Sequence, residues 1–393
     1  MPTSTRPTSA LFWQIVKGAV VDSSLKRLTS SEAGKNLSAV FAYFTQLSFH
    51  TLLETKLPSG KAGIEILTDG ASVMKFLMDA DLPLQSYEIR VVERLFDSFV
   101  KDGALEIKHA SDTKTYYFKE KIPPLEKNEY NEILKTNKYL VYAGEDIIPN
   151  LIESLKQGDG VVDMGDRGWA FVAEAMYQDH LFQASRREAT DYILKDSLKF
   201  LDDDIISVMS LHGGAGHSII HFLDYFARRY PGKQIIVNGC DQSSINMART
   251  KINLRSFLIE NRSDKSTELL HVRENLKVLS NKEDWYERFG NQIRKIDIFI
   301  SSDIFTYLEP KSSELMIKRV SEMIHEKGVV VLFQPTSYSD DFPLPLYSMF
   351  CNMKGFYDIP TKSEVNRICN KYFNSVKAHQ LESVWILKKP KKL

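Results

Sequence analysis

Cysteine is scarce: Cys240, Cys351 and Cys369 are the only three in 393 residues. Odd in number and far apart, they supply neither a disulfide framework nor a metal-binding pair at CxxC spacing. A reducing, cytoplasmic setting is the expectation, with no bound metal. The chain also lacks an excess of either charge, with 51 Lys and Arg against 51 Asp and Glu, so no global field draws it onto nucleic acid. Nucleic acid is therefore not an expected partner, and the basic run Lys388-Lys389-Pro390-Lys391-Lys392 reads as a solvated terminus. No apolar stretch approaches the roughly 18 residues of a spanning helix. Met1 to Ala10 is polar and rich in Pro, Thr and Ser, unlike a secretion signal, so no membrane contact is expected. Low-complexity tracts are missing too, and with 43% hydrophobic and 26% charged residues the composition is that of a chain that folds.

What is present divides in two. A length of 393 exceeds one ordinary core and implies two unequal domains. Over 35–55, Leu37, Val40, Phe41, Phe44, Leu47, Leu52 and Leu53 recur at helical intervals. Further helices are predicted over about 70–80 and 86–102, the second stopped at Asp102-Gly103. Ala104 to Lys108 and Lys114 to Phe118 then read as two strands joined by a polar turn. Helices followed by a small ribbon outline a mainly helical, winged-helix-like module over 1–124. Such a module binds DNA or pairs subunits, and the mixed charge of the ribbon favours pairing or lid formation over DNA. The apolar face around Val40, Phe41 and Phe44 is wider than a small module hides, so a homodimer built through this domain is expected. After Pro123-Pro124, residues 125–194 read as connecting helices, among them 145–156 and 168–178.

From about 195 to 393 the rhythm changes to apolar strands alternating with amphipathic helices. Strands are predicted over Ile205–Leu211, Gln234–Cys240, Leu269–Arg273, Ile296–Ser301 and Val329–Phe333, and helices over Ser218–Arg229, Ser243–Leu258 and Ser312–His325. That alternation argues for an α/β domain, a mostly parallel Rossmann-like sheet of seven strands with helices on both faces. Ser375–His379 and Val384–Leu387 suggest a hairpin that closes the sheet edge antiparallel.

Two features of this domain carry chemistry. The first strand runs into Ser210-Leu211-His212-Gly213-Gly214-Ala215-Gly216-His217, with a helix directly behind it. Glycines there let backbone approach a ligand, and the helix N-terminus favours a negative group. The second strand ends on Asp241, followed by Gln242, where a carboxylate accepts the hydroxyls of a ribose. Strand, glycine turn, helix, strand and terminal acid together point to a nucleoside cofactor.

This stretch resembles class I S-adenosylmethionine-dependent methyltransferases, especially the winged-helix small-molecule O-methyltransferases related to the acetylserotonin and plant phenolic enzymes. Their first motif reads Asp-Val-Gly-Gly-Gly-Thr-Gly. Gly213, Gly214 and Gly216 fit it, Asp241 fits the acid of the second motif, and Asn275 sits where a polar residue touches the adenine. Ile296 to Leu308 resembles the segment carrying the substrate-side residues, and His325 to Leu332 the helix end and fifth strand. The resemblance implies S-adenosylmethionine as cofactor, held by His212, Gly213, Gly214, Gly216, Asp241, Gln242, Asn275 and Ser301. It also implies a small-molecule acceptor, probed by Asp303, Thr306 and Tyr307 as candidate catalytic residues, with Tyr338, Phe342, Tyr347, Phe350, Phe356 and Tyr357 lining the pocket.

The sequence departs from that pattern at three places. Ser210 stands for the usual acid of the first motif, His212 for its first glycine, and Thr306 or Tyr307 where the phenolic enzymes carry a catalytic His. Methyl transfer from a sulfonium needs an aligned nucleophile, and positioning supplies much of the rate. The acceptor atom therefore stays open between oxygen and carbon, including carbon of a 2-oxo acid or prenyl diphosphate. A degenerate, cofactor-binding scaffold is the reading of another class. His212 and His217 flank the turn and serve as turn residues, substrate contacts or, with Asp241, metal ligands.

Overall fold

A computed structural model describes residues 105–110 and 113–118, 127–165 apart from 137, 158 and 159, and 204–391 apart from 230–232, 264–270, 280–284, 290–294, 335, 337–348 and 380–383, with Leu47, Gly168 and Thr190 besides. The helices predicted over 35–55, 70–80, 86–102 and 168–178, and with them the winged-helix outline and its dimer face, lie outside the described residues. Two compact units make up the chain, one of 1–164 with 340–358, the other of 165–339 with 359–393.

In the first unit, β1 (Leu105–Ala110) and β2 (Thr113–Phe118) form the expected antiparallel ribbon, with Leu105 opposite Phe118. Three helices follow: α1 (Lys127–Thr136), α2 (Lys138–Ile147) and α3 (Leu151–Gln157). The single helix predicted over 145–156 is interrupted by a 3-10 turn at Ile148–Asn150, because Pro149 offers no N–H to continue the α ladder. Val141, Ala143, Ile147, Ile148 and Leu151 are buried. Val162 bridges Met353, and a Cβ on Gly160 would stand 2.2 Å from the Met353 carbonyl oxygen, which fixes glycine at this crossing. Phe350 and Phe356 stack within the same unit, 6.2 Å between centroids.

The second unit is a seven-stranded sheet. In chain order it runs β3 (Ile205–Leu211), α4 (His217–Arg229), β4 (Gln234–Asp241), α5 (Ser244–Ser263), β5 (His271–Val278), α6 (Trp285–Phe289), β6 (Ile296–Ser302), α7 (Pro310–Met323), β7 (Ile324–Phe333), α8 (Lys362–Tyr372), β8 (Phe373–His379) and β9 (Val384–Pro390). The strand order is β5-β4-β3-β6-β7-β9-β8. β3 therefore lies centrally, with chain leaving toward β4 on one side and β6 on the other, the crevice where open α/β sheets take ligands.

Alternating side chains separate two apolar layers. Ile206, Val208, Ile235, Val237, Ile298, Ile300, Val329 and Val331 pack with Ile219, Phe222 and Phe226 of α4 and Leu254 and Phe257 of α5. Met209, Leu211, Phe299, Val330, Leu332, Trp385 and Leu387 face Trp285 and Phe289 of α6, Ile317 and Val320 of α7 and Val365 and Ile368 of α8. Helices thus cover both faces, as the strand–helix alternation predicts.

The sheet is mixed, and the last two strands close its edge as the expected antiparallel hairpin. β9 runs antiparallel to β7 and β8 and is inserted between them, so the edge strand β8 is parallel to β7. Burial gives the reason. Val384, Trp385, Ile386 and Leu387 are apolar on both faces and need two neighbours, whereas Asn374 and Lys377 on β8 are exposed and suit an edge. One correction concerns His325, predicted to end a helix. α7 stops at Met323, and Ile324 already pairs with Ile296 at a register shift, because Gly328 lets β7 bend against the Asp297 carbonyl. Among the described residues no helix is long and apolar enough to cross a membrane.

Trp385 joins the layers to the polar edge, since its buried indole N–H donates to the Gln334 carbonyl at 3.1 Å. Trp385→Ala should lower unfolding free energy by about 3–5 kcal/mol, read from urea denaturation. A loss below about 1 kcal/mol would contradict this packing.

Candidate active site

The chain leaves β3 through a turn that only glycine-rich sequence can follow. His212, Gly214 and Gly216 have φ of 51, 55 and 81°. A Cβ on Gly213 would stand 2.4 Å from Ser210 Oγ, and one on Gly216 2.7 Å from Thr250 Cγ2. The turn is tied on two sides. From β4, the Cys240 carbonyl accepts the His212 N–H at 2.9 Å, and Asp241 Oδ2 accepts the Gly214 N–H at 3.1 Å. From α5, Thr250 Oγ1 donates to the Gly214 carbonyl at 2.9 Å and Asn253 Nδ2 to the Ala215 carbonyl at 3.0 Å. α4 starts at His217, so its first N–H groups lie directly behind the turn.

Asp241 is 8% exposed, and its other oxygen accepts the Ser243 N–H at 2.9 Å. Each carboxylate oxygen has a second lone pair for a ligand hydroxyl. Gln242 beside it is exposed. Asn275 is not at this level. It faces Asn238 in register and donates to Asn238 Oδ1 at 3.2 Å, while Asn238 donates to Ser207 Oγ and the Val208 carbonyl, both at 3.4 Å. The residue opposite Asp241 on β5 is Val278, and the Leu279 N–H donates to the Asp241 carbonyl at 2.8 Å.

On the other side of β3, Ser301 of β6 stands opposite Leu211. Ser301 Oγ and Ser210 Oγ are both buried with no hydrogen-bond partner among the described residues. One step past β6, Asp303 has φ 53° and donates its N–H to the Phe333 carbonyl at 2.7 Å. Its Oδ1 accepts the Thr306 hydroxyl at 2.5 Å and the Gln334 amide at 3.3 Å. Gln334 Nε2 also donates to Thr306 Oγ1 at 3.1 Å, and its Oε1 accepts the Phe305 N–H at 2.9 Å. Asp303, Thr306 and Tyr307 are therefore gathered on one short turn, Phe305–Tyr307 being 3-10 helical.

Sequence reasoning passed over Thr250, Asn253 and Gln334. Asn246, Thr250 and Asn253 recur on one face of α5 at helical spacing, a polar opening to an otherwise apolar buried stripe, and that pattern was the available signal. Gln334 ends an apolar strand alone and carries no motif. His217 is nearly buried at the start of α4. The thiols are chemically quiet, since burial pushes Cys240 well above the usual range and Cys351 up to about 12. Among the described residues, no three His, Cys, Asp or Glu are grouped to hold a metal ion. Tyr338, Phe342 and Tyr347 lie outside the described residues, and Phe350, Phe356 and Tyr357 belong to the first unit.

Burial, and secondarily the charge of Asp303, raise the Tyr307 phenol well above its ordinary pKa. Tyr307 therefore stays protonated at neutral pH. Both causes disfavour the phenolate, so Asp303→Asn should bring the Tyr307 titration down toward the ordinary tyrosine range. Ring-carbon NMR of labelled tyrosine would follow it, and an unmoved Tyr307 would refute the coupling.

The sequence matches no protein-family profile and no curated protein. Solved structures of its fold do exist. Over 98% of this chain and 97% of the other, it superposes on the CurJ carbon methyltransferase at TM-score 0.58 with 12% identity. The DszA carbon methyltransferase matches at 0.57 with 10% identity, over 100% of this chain and 99% of that one. The citrinin polyketide synthase CMeT domain matches at 0.54 with 13% identity, over the whole of both chains. The chain thus has the fold of these methyltransferases.

Proposed function

We propose that the chain is an S-adenosylmethionine-dependent methyltransferase acting on a small-molecule acceptor at carbon or oxygen. The observation that carries this reading is the tied turn after β3, with Asp241 beside it and the start of α4 behind it. The residues present fit the cofactor. Gly213 and Gly216 let the turn pack directly against Ser210 and Thr250, where a Cβ would stand 2.4 and 2.7 Å away, and Ser301 offers a buried hydroxyl lacking a partner among the described residues. His212, Gly213, Gly214 and Gly216 would meet the methionine portion, its carboxylate favoured by the N–H groups of α4. Asp241 and Gln242 would meet the ribose. We assign the adenine to Val278 and Leu279 in preference to Asn275, whose amide is spent on Asn238 within the sheet. When bound, the cofactor supplies a methyl group made electrophilic by its positive sulfur.

The chain's own groups then have defined tasks. Tyr307, a donor, orients an acceptor oxygen, and Thr306 and Gln334 fix the Asp303 carboxylate. No general base is assigned, so the acceptor reacts as an anion, an acidic hydroxyl or an enolisable carbon that has already lost its proton to water. The carbon methyltransferases of the same fold, one of them a polyketide synthase domain, support ranking carbon beside oxygen. Pairing of two copies through residues 10–120 completes the proposal, and light scattering that gives a monomer would count against it.

Calorimetric titration with S-adenosylmethionine tests the reading, and wild-type protein that takes up none refutes it. Asp241→Ala should weaken binding by about 2–3 kcal/mol. Thr250→Val, which removes one donor to the turn and keeps its shape, should weaken it by about 1 kcal/mol, and Thr250→Ser should not.

A further inference from the structure

The exit of β6 holds a charge in an arrangement that a simple turn does not need. Asp303 occupies the left-handed region, uncommon for residues other than glycine but among those Asp tolerates best. Its carboxylate does not cap the short helix that follows in the usual way. The N-cap of that helix is Ile304, and Asp303 Oδ1 accepts a hydroxyl and a side-chain amide. Both donors are rigid, since Thr306 and Gln334 are fully buried, the Gln334 side-chain oxygen accepts the Phe305 N–H and its backbone carbonyl accepts the Trp385 indole N–H. Both are also neutral groups, a hydroxyl and an amide, and fix the carboxylate by hydrogen bonds.

Its place in the sheet gives that charge an object. Asp241 lies past β4 on one side of β3, and Asp303 past β6 on the other. With Leu211 opposite Ser301, the exit of β6 is one strand spacing, about 4.8 Å, from the glycine turn. A nucleoside whose ribose meets Asp241 and whose tail follows the turn carries its sulfur toward the β6 side. Tyr307, on the same turn as Asp303, already responds to that carboxylate.

We propose that Asp303 is a specificity-determining residue that makes the site prefer the cationic sulfonium cofactor to its neutral thioether product, with Gln334 as the positioning residue that holds it. The inference rests on the methyltransferase reading above. S-adenosylmethionine and S-adenosylhomocysteine differ by one methyl group and one positive charge, so a fixed carboxylate near the sulfur attracts the first and is indifferent to the second. Loss of the methyl then removes the attraction, and product leaves more readily than substrate would.

The test is calorimetry on the full chain with S-adenosylmethionine and S-adenosylhomocysteine as separate probes. Asp303→Asn should weaken the first about tenfold and leave the second unchanged, collapsing their ratio. Asp303→Gly, which suits the left-handed backbone and lacks the charge, should do the same and guards against misfolding of the first variant. Gln334→Met should move the ratio the same way by a smaller factor. Equal weakening of both ligands, or a ratio that stays at the wild-type value, overturns the proposal. Wild-type protein that binds neither ligand would instead refute the methyltransferase reading itself.

Discussion

Gly214 is gripped on both sides, its N–H by Asp241 and its carbonyl by Thr250, and the rest of the site depends on that grip. A turn with three left-handed residues has little of its own to stabilise it beyond the bond from the Gly216 N–H to the Gly213 carbonyl at 3.0 Å. Here β4 and α5 supply the missing bonds from fixed positions, and Asn253 adds a third. The strand pair β3–β4 sets the level of Asp241, and the stripe on α5 sets the height of the turn above the helix. Preorganisation of this kind lowers the ordering that a ligand would otherwise have to impose.

A second polar assembly at β6 and β7 is built on the same plan. Gln334 uses both ends of its side-chain amide, and its backbone carbonyl is met by Trp385. The reversed strand β9 therefore does more than fill the sheet, because its one indole N–H ties the apolar interior to the clamp on Asp303. A buried network is stable only when every member is satisfied. Its presence at the mouth of the crevice, beside a left-handed acid, is why the arrangement is read as functional.

Much of the second unit was legible because its strands are continuous apolar runs. Ile205–Leu211 was bounded correctly at both ends, and β4 and β6 to within a residue. Glycines and the terminal acid located the turn for the same reason, since few residues tolerate those backbone angles or that close approach. The insertion of β9 depends on which of two adjacent strands is buried on both faces, a comparison the hairpin pattern alone does not force. Thr250 and Asn253 were hidden because the buried side of α5 opens with polar residues, which reads as surface. The left-handed backbone of Asp303 leaves no mark on the sequence at all.

A crystal structure with S-adenosylhomocysteine tests the central claim most directly. The account predicts ribose hydroxyls on Asp241, the amino-acid end at the start of α4, the adenine over Val278 and Leu279, and the sulfur on the Asp303 side of β3. A ligand bound away from the turn, or with its ribose remote from Asp241, would contradict it.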